Sequence, residues 1–289
     1  MTPRLHEIPI LGPHGFSRLA YVEWGPVEAS RVVVCVHGLT RNSRDFDVLA
    51  ESLAMRGYRV AAPDMPGRGR SGWVAPEDYS YPFYVSVCAA LIARLGVDEV
   101  DWIGTSMGGL IGMMLAAQPQ TPVRRLVIND IGPLIPKAAL KRIGRYVGGE
   151  ERFESFEAVE AHLRRIHAPF GTLTDAQWRH LATHSAVPAE QGRLKLHYDP
   201  AIGLPFTQKE PEDVDLWPVW EKVGGATLIL RGAESDLLPF DVATEMTRRG
   251  RAAASGRTRL IEIEGCGHAP ALMEAAQTDA VAAFLEGGR

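Results

Sequence analysis

The stretch from Val100 to Leu110 constrains this chain more than any other, because Ser106 sits between Gly104 and Gly108 where an apolar strand runs into an apolar helix. Joining strand to helix through so tight a turn holds the middle residue in a strained backbone conformation and pushes its side chain into the open. Gly104 and Gly108 then mark positions where a Cβ would collide. The turn also leaves the Met107 amide at a helix N-terminus, where unpaired N–H groups and the helix dipole favour developing negative charge. Ser106 is therefore the candidate nucleophile.

A glycine-flanked serine can arise in any turn, so its surroundings matter. Val32 to Val36 reads as a short, fully buried strand ending at His37, Gly38, Leu39 and Thr40. A second apolar run, Leu228 to Leu230, leads into Gly232, Ala233, Glu234, Ser235 and Asp236. A third, Leu260 to Ile263, leads into Gly265, Cys266, Gly267 and His268. Serine, acid and histidine thus arrive in that order, each just past a predicted strand. This order and placement resemble the α/β-hydrolase superfamily over nearly the whole chain.

The resemblance implies a serine esterase. Ser106 would be acylated, with His268 as base and Asp236 orienting its imidazole. The Gly265 to His268 run matches the family's glycine-flanked histidine. Asp130, at the end of the preceding strand where some relatives carry their acid, is the alternative to Asp236, with Glu234 and Asp241 behind it. The loop at His37 to Leu39 is similar to the family's oxyanion loop, so the backbone N–H groups of Leu39 and Met107 are the expected oxyanion donors. His37 itself is read as ordering that loop. No cofactor or metal is required. Thioester, lactone and C–C bond hydrolysis are compatible with the same residues, and a slow-turnover ligand receptor on the same fold is the reading from another class. A small ester-like molecule is the expected partner.

Around these motifs the chain alternates strands and helices, which implies an α/β fold with a mostly parallel central sheet and helices on both faces. Leu5 to Ile10 and Phe16 to Trp24 read as an N-terminal hairpin. Strands are expected at Tyr58 to Ala62, Val123 to Ile128, Ala226 to Leu230 and Arg259 to Ile263, with intervening helices and a last helix near Ala271 to Leu285. Between Pro133 and Asp213 the alternation stops and only helical periods remain, such as Phe156, Val159, Leu163 and Ile166. The resemblance makes this an all-helical cap inserted before the last two strands. The expected division is core over 1–132, cap over 133–213 and core again over 214–289.

Two motifs are set aside. Gly67 to Gly72 matches the dinucleotide pattern G-x-G-x-x-G, but no helix opens there and Pro76 follows, so no pyrophosphate site forms. The segment, with Asp64, instead resembles a structural loop of α/β-hydrolases. His180 and His184 are spaced to share a helix face, yet the glutamate of H-E-x-x-H is missing and no third ligand stands out.

A net charge of −4 offers no case for nucleic acid or an anionic membrane. The N-terminal residues lack the apolar core of a signal peptide, and no apolar run spans a bilayer, so a cytoplasmic protein, monomer or homodimer, is expected. Cys35, Cys88 and Cys266 show no paired spacing and are read as reduced thiols, with Cys266 close enough to His268 for its modification to inhibit.

Overall fold

The computed structural model describes residues 2–208 and 210–287; Met1 and Arg289, the outer limits of the expected division, lie outside them. The chain opens with the hairpin β1 (Arg4–Gly12) and β2 (Gly15–Trp24), followed by β3 (Val32–Val36), α1 (Asp47–Met55), β4 (Arg59–Pro63), α2 (Tyr81–Leu95), β5 (Val100–Thr105), α3 (Met107–Ala116) and β6 (Val123–Asn129). Next come β7 (Leu134–Ile135), α4 (Lys137–Gly144), α5 (Phe156–Ile166), α6 (Asp175–Ser185), β8 (Ala186–Pro188), β9 (Leu194–Leu196), α7 (Leu204–Thr207) and β10 (Val214–Asp215). The chain ends with α8 (Trp217–Trp220), β11 (Ala226–Gly232), α9 (Phe240–Met246), α10 (Arg251–Ala254), β12 (Thr258–Ile263) and α11 (Ala275–Leu285).

Eight strands form one sheet in the order β1-β2-β4-β3-β5-β6-β11-β12. The hairpin joins antiparallel through β2 and β4, and every pairing from β4 to β12 is parallel. Strands covered on both faces read as continuous apolar runs, and β3 is buried throughout. Its residues still alternate: Val32, Val34 and Val36 join the cluster holding Leu91 of α2 and Ile111 of α3, while Val33 and Cys35 join Leu49 of α1 and Phe284 of α11. Helices on both faces leave the carboxyl ends of β3, β5, β6 and β11 as the shared edge where loops meet.

The stretch between β6 and β11 departs from the all-helical expectation. Its helices α5 and α6 are firmly capped, by Ser155 accepting from the Ala158 amide and by a reciprocal Thr174–Gln177 capping box. It also holds two small antiparallel pairs, β7 with β10 and β8 with β9. Strands of two or three residues are too short to show alternation in a sequence. The β8–β9 turn depends instead on positive φ at Gln191 (59°) and Gly192 (73°), and β9 sets Leu194 and Leu196 against Val159 and Leu163 of α5. No helix of the described residues is long and apolar enough to cross a membrane.

Candidate active site

Ser106 caps the amino end of α3 with φ 52° and ψ −115°, a conformation that L-residues avoid and that costs about 1–3 kcal/mol. The surrounding contacts hold it there. A Cβ on Gly104 would lie 2.2 Å from the Gly108 carbonyl carbon, and one on Gly108 would lie 1.9 Å from the Val36 carbonyl oxygen. Backbone therefore touches backbone on both sides of the serine, and only glycine permits it. The Trp102 indole donates to the Gly108 carbonyl at 3.0 Å, and the Ser106 amide donates to the Asn129 carbonyl at 2.9 Å.

His268, in the loop after β12, brings its Nε2 to 2.9 Å from Ser106 Oγ. Its Nδ1 lies 2.8 Å from a carboxylate oxygen, and that carboxylate belongs to Asp130. The expectation for Asp236 is overturned: its carboxylate pairs with Nε and Nη2 of Arg142 and is 49% exposed. Asp130 follows β6 directly, adopts φ 57° and is fully buried. It accepts hydrogen bonds from the Gly232 amide at 2.7 Å and the Ser235 hydroxyl at 2.6 Å. A buried carboxylate with three partners is held both in position and in orientation.

Leu39 lies in the loop after β3 and lines the same cavity as Ser106 and His268. Met107 supplies the first amide of α3, which no preceding helical carbonyl can accept. His37 is buried behind this loop, its Nδ1 donating to the Gly38 carbonyl at 2.7 Å and its Nε2 accepting from the Met65 amide at 2.9 Å. Burial lowers its pKa to about 4, so the ring is neutral at pH 7, as those two bonds require. Asp64 accepts from the Ser43 and Arg70 amides and so folds the Gly67 to Gly72 segment, which runs as a loop without a helix.

Arg68 is a residue the sequence did not single out. It is fully buried, donates to the Leu39 carbonyl at 2.8 Å and to the Tyr84 hydroxyl at 2.8 Å, and brings Nη2 to 3.7 Å from the Met107 sulfur. One guanidinium thus braces both residues expected to bind an oxyanion. An arginine between two loop glycines reads as solvated, and nothing in its neighbours in sequence marks it otherwise.

The cavity above Ser106 has a volume of about 780 Å³, counting its open mouth. Core residues supply its floor, including Leu39, Ser106 and His268, while Arg142, His167 and Phe170 come from the inserted stretch. His167 is buried against Phe170, and burial holds it well below the usual histidine range, with Arg41 adding to the effect. Burial likewise pushes the Cys266 thiol up to about 11, which keeps it protonated and unreactive at neutral pH.

The histidine pair of α6 acquires a third neighbour: one ligating atom from each of Asp47, His180 and His184 lies within 4.8 Å of the others. Asp47 is far away in sequence and was not anticipated. Its carboxylate is engaged by Arg44, and His180 Nε2 donates to the Arg44 carbonyl at 3.0 Å.

The sequence model of the alpha/beta hydrolase family matches residues 33–284. The chain is 45% identical, over 99% of each protein, to the 3-hydroxybutyrate-oligomer hydrolase of Cupriavidus necator. It is 25% identical to the bifunctional esterase/perhydrolase DCH of Acinetobacter calcoaceticus, over 80% of this chain and 85% of that one. An alpha/beta hydrolase from Novosphingobium aromaticivorans superposes with a TM-score of 0.85 at 32% identity, covering 99% of both chains. The strand order, the strained serine and the extent of these matches lead to one assignment: the chain belongs to the alpha/beta hydrolase family.

Proposed function

We propose that this protein is a serine hydrolase that cleaves the carboxylic esters of short 3-hydroxybutyrate oligomers. The observation that carries the reading is the unbroken line of hydrogen bonds from Ser106 Oγ through His268 to Asp130. The substrate class is drawn from the relative that is 45% identical over 99% of both chains. The cavity sets apolar side chains such as Ile143, Val147 and Phe170 beside Ser106, a lining that suits the methyl-bearing units of such an oligomer.

In the acylation step His268 Nε2 takes the Ser106 proton as Oγ attacks the ester carbonyl carbon. The carbonyl oxygen becomes an oxyanion facing the Leu39 and Met107 amides, where loss of one donor typically raises the barrier by about 3 kcal/mol. Collapse breaks the ester C–O bond, and His268 gives its proton to the departing alkoxide. Water then repeats the sequence on the acyl-enzyme and releases the acid. Asp130 holds the imidazole tautomer and offsets the imidazolium charge. Residues 133–213 act as the cap, since their side chains roof the cavity and set which acyl groups fit.

The test compares wild type with Ser106→Ala on the linear 3-hydroxybutyrate dimer and on p-nitrophenyl butyrate, with mass spectrometry after a serine-directed phosphonate. Wild type should turn over both esters and carry the adduct on Ser106, and the variant should fall about a million-fold. Labelling of Ser106 without turnover of either ester would favour a ligand receptor, and absence of both would sink the serine mechanism.

A further inference from the structure

Two arginines line the cavity and take no part in the bond-breaking steps. Arg41 has a partner at each of its three nitrogens: Nε and Nη2 donate to Asp45 at 2.8 and 2.6 Å, and Nη1 donates to the Ser185 hydroxyl at 3.0 Å. Arg142 is different. Asp236 takes only its Nε–Nη2 edge, and that carboxylate is half exposed and not part of the cavity lining. A guanidinium offers bidentate geometry on more than one edge, so the Nη1 side is left over by this pair. The Tyr146 hydroxyl, about one helical turn further on, accepts from the same guanidinium, which leaves its own O–H to donate, and it also lines the cavity.

We propose that the Nη1 edge of Arg142, together with the Tyr146 hydroxyl, is a carboxylate subsite that selects hydroxyacid oligomers ending in a free acid. The inference rests on the ester-hydrolase reading above. A linear 3-hydroxybutyrate oligomer carries one ionised carboxylate, and in the dimer only two carbon atoms separate it from the ester oxygen. That charge therefore enters the cavity with the bond to be cut. Ile143, Val147, Ile166 and Phe170 offer it nothing, and an unpaired carboxylate among apolar side chains is costly. A fixed, planar cation with a neighbouring O–H is what such a group requires. Asp236 keeps its effect here by orienting the guanidinium from the solvent side, where water screens its own charge.

The experiment compares the dimer acid with its terminal carboxamide, which has the same ester but no charge. The quantity read is the ratio of kcat/KM for acid over amide, in wild type, Arg142→Met and Arg142→Lys, each normalised to phosphonate-titrated sites. Wild type should prefer the acid. The ratio should fall roughly 10- to 100-fold in Arg142→Met, mainly through KM, and recover in part in Arg142→Lys. Calorimetric binding of both ligands to Ser106→Ala, with and without Arg142→Met, reads the subsite without turnover, and only the acid should lose affinity. Equal losses on acid and amide, or an unchanged ratio, would overturn the subsite and leave ester hydrolysis standing. Failure of wild type to cleave either ligand would count against the hydrolysis reading, and binding to Ser106→Ala would still decide for or against Arg142.

Discussion

The carboxyl ends of β6 and β11 lie side by side in the sheet, and each is followed by an aspartate, yet the two acids meet opposite conditions. Asp130 comes one residue after β6, with positive φ, and is sealed among the Gly232 amide, the Ser235 hydroxyl and His268. Asp236 comes four residues after β11 and faces outward to Arg142. The decisive element is the intervening serine. Ser235 turns in, donates to Asp130, and accepts the Leu237 and Leu238 amides at 3.3 and 3.1 Å. With Ser235 directed inward, the loop after β11 folds around the acid of its neighbour and sends its own away. Adjacent strand ends are thus chemically equivalent until one loop closes on the other.

The strongest way to break this contrast is Asp130→Asn. An amide at that position favours the wrong imidazole tautomer, so kcat on p-nitrophenyl butyrate should fall about ten-thousand-fold, with KM little altered. A variant that keeps most of its activity would return Asp236 or another acid to consideration. Ser235→Ala should sit in the middle. It removes one of the three bonds that fix Asp130, a loss of about 1–1.5 kcal/mol, and steady-state kinetics should show kcat/KM reduced roughly tenfold. Asp236→Asn should have the smallest effect. A half-exposed ion pair contributes about 0–1 kcal/mol, so on the uncharged ester kcat should stay within about threefold and urea unfolding should shift little. A drop as large as that of Asp130→Asn would reverse the comparison.

The contrast also explains what could be read from the sequence. The elbow was legible because its constraint is local: Gly104, Ser106 and Gly108 record in three residues that a helix must touch a strand. His268 was legible for a related reason, lying in a glycine-bounded loop after an apolar run. The inner sheet strands were legible from continuous apolar runs, as in β3. The choice between Asp236 and its alternative Asp130 was not, because it depends on φ at Asp130 and on the direction of Ser235, neither of which leaves a pattern in the chain. Arg68 was hidden since burial of a loop arginine depends on Tyr84 and the Leu39 carbonyl, both remote in sequence. Asp47 met the α6 histidines for the same kind of reason, across more than a hundred residues. The small strands β8 and β9 were too short for periodicity to register.

The backbone at Ser106 has one further consequence. Its conformation persists only while Gly108 is pressed on Val36 and Gly104 on the helix above it. A chain that has lost those contacts relaxes to an ordinary serine, parted from His268 and no more reactive than dozens of hydroxyls elsewhere in a proteome. Under the proposed serine mechanism, a covalent label at this position therefore counts intact molecules and passes over the rest. In a crude extract the ratio of labelled to total polypeptide is a census of folding, taken without purification.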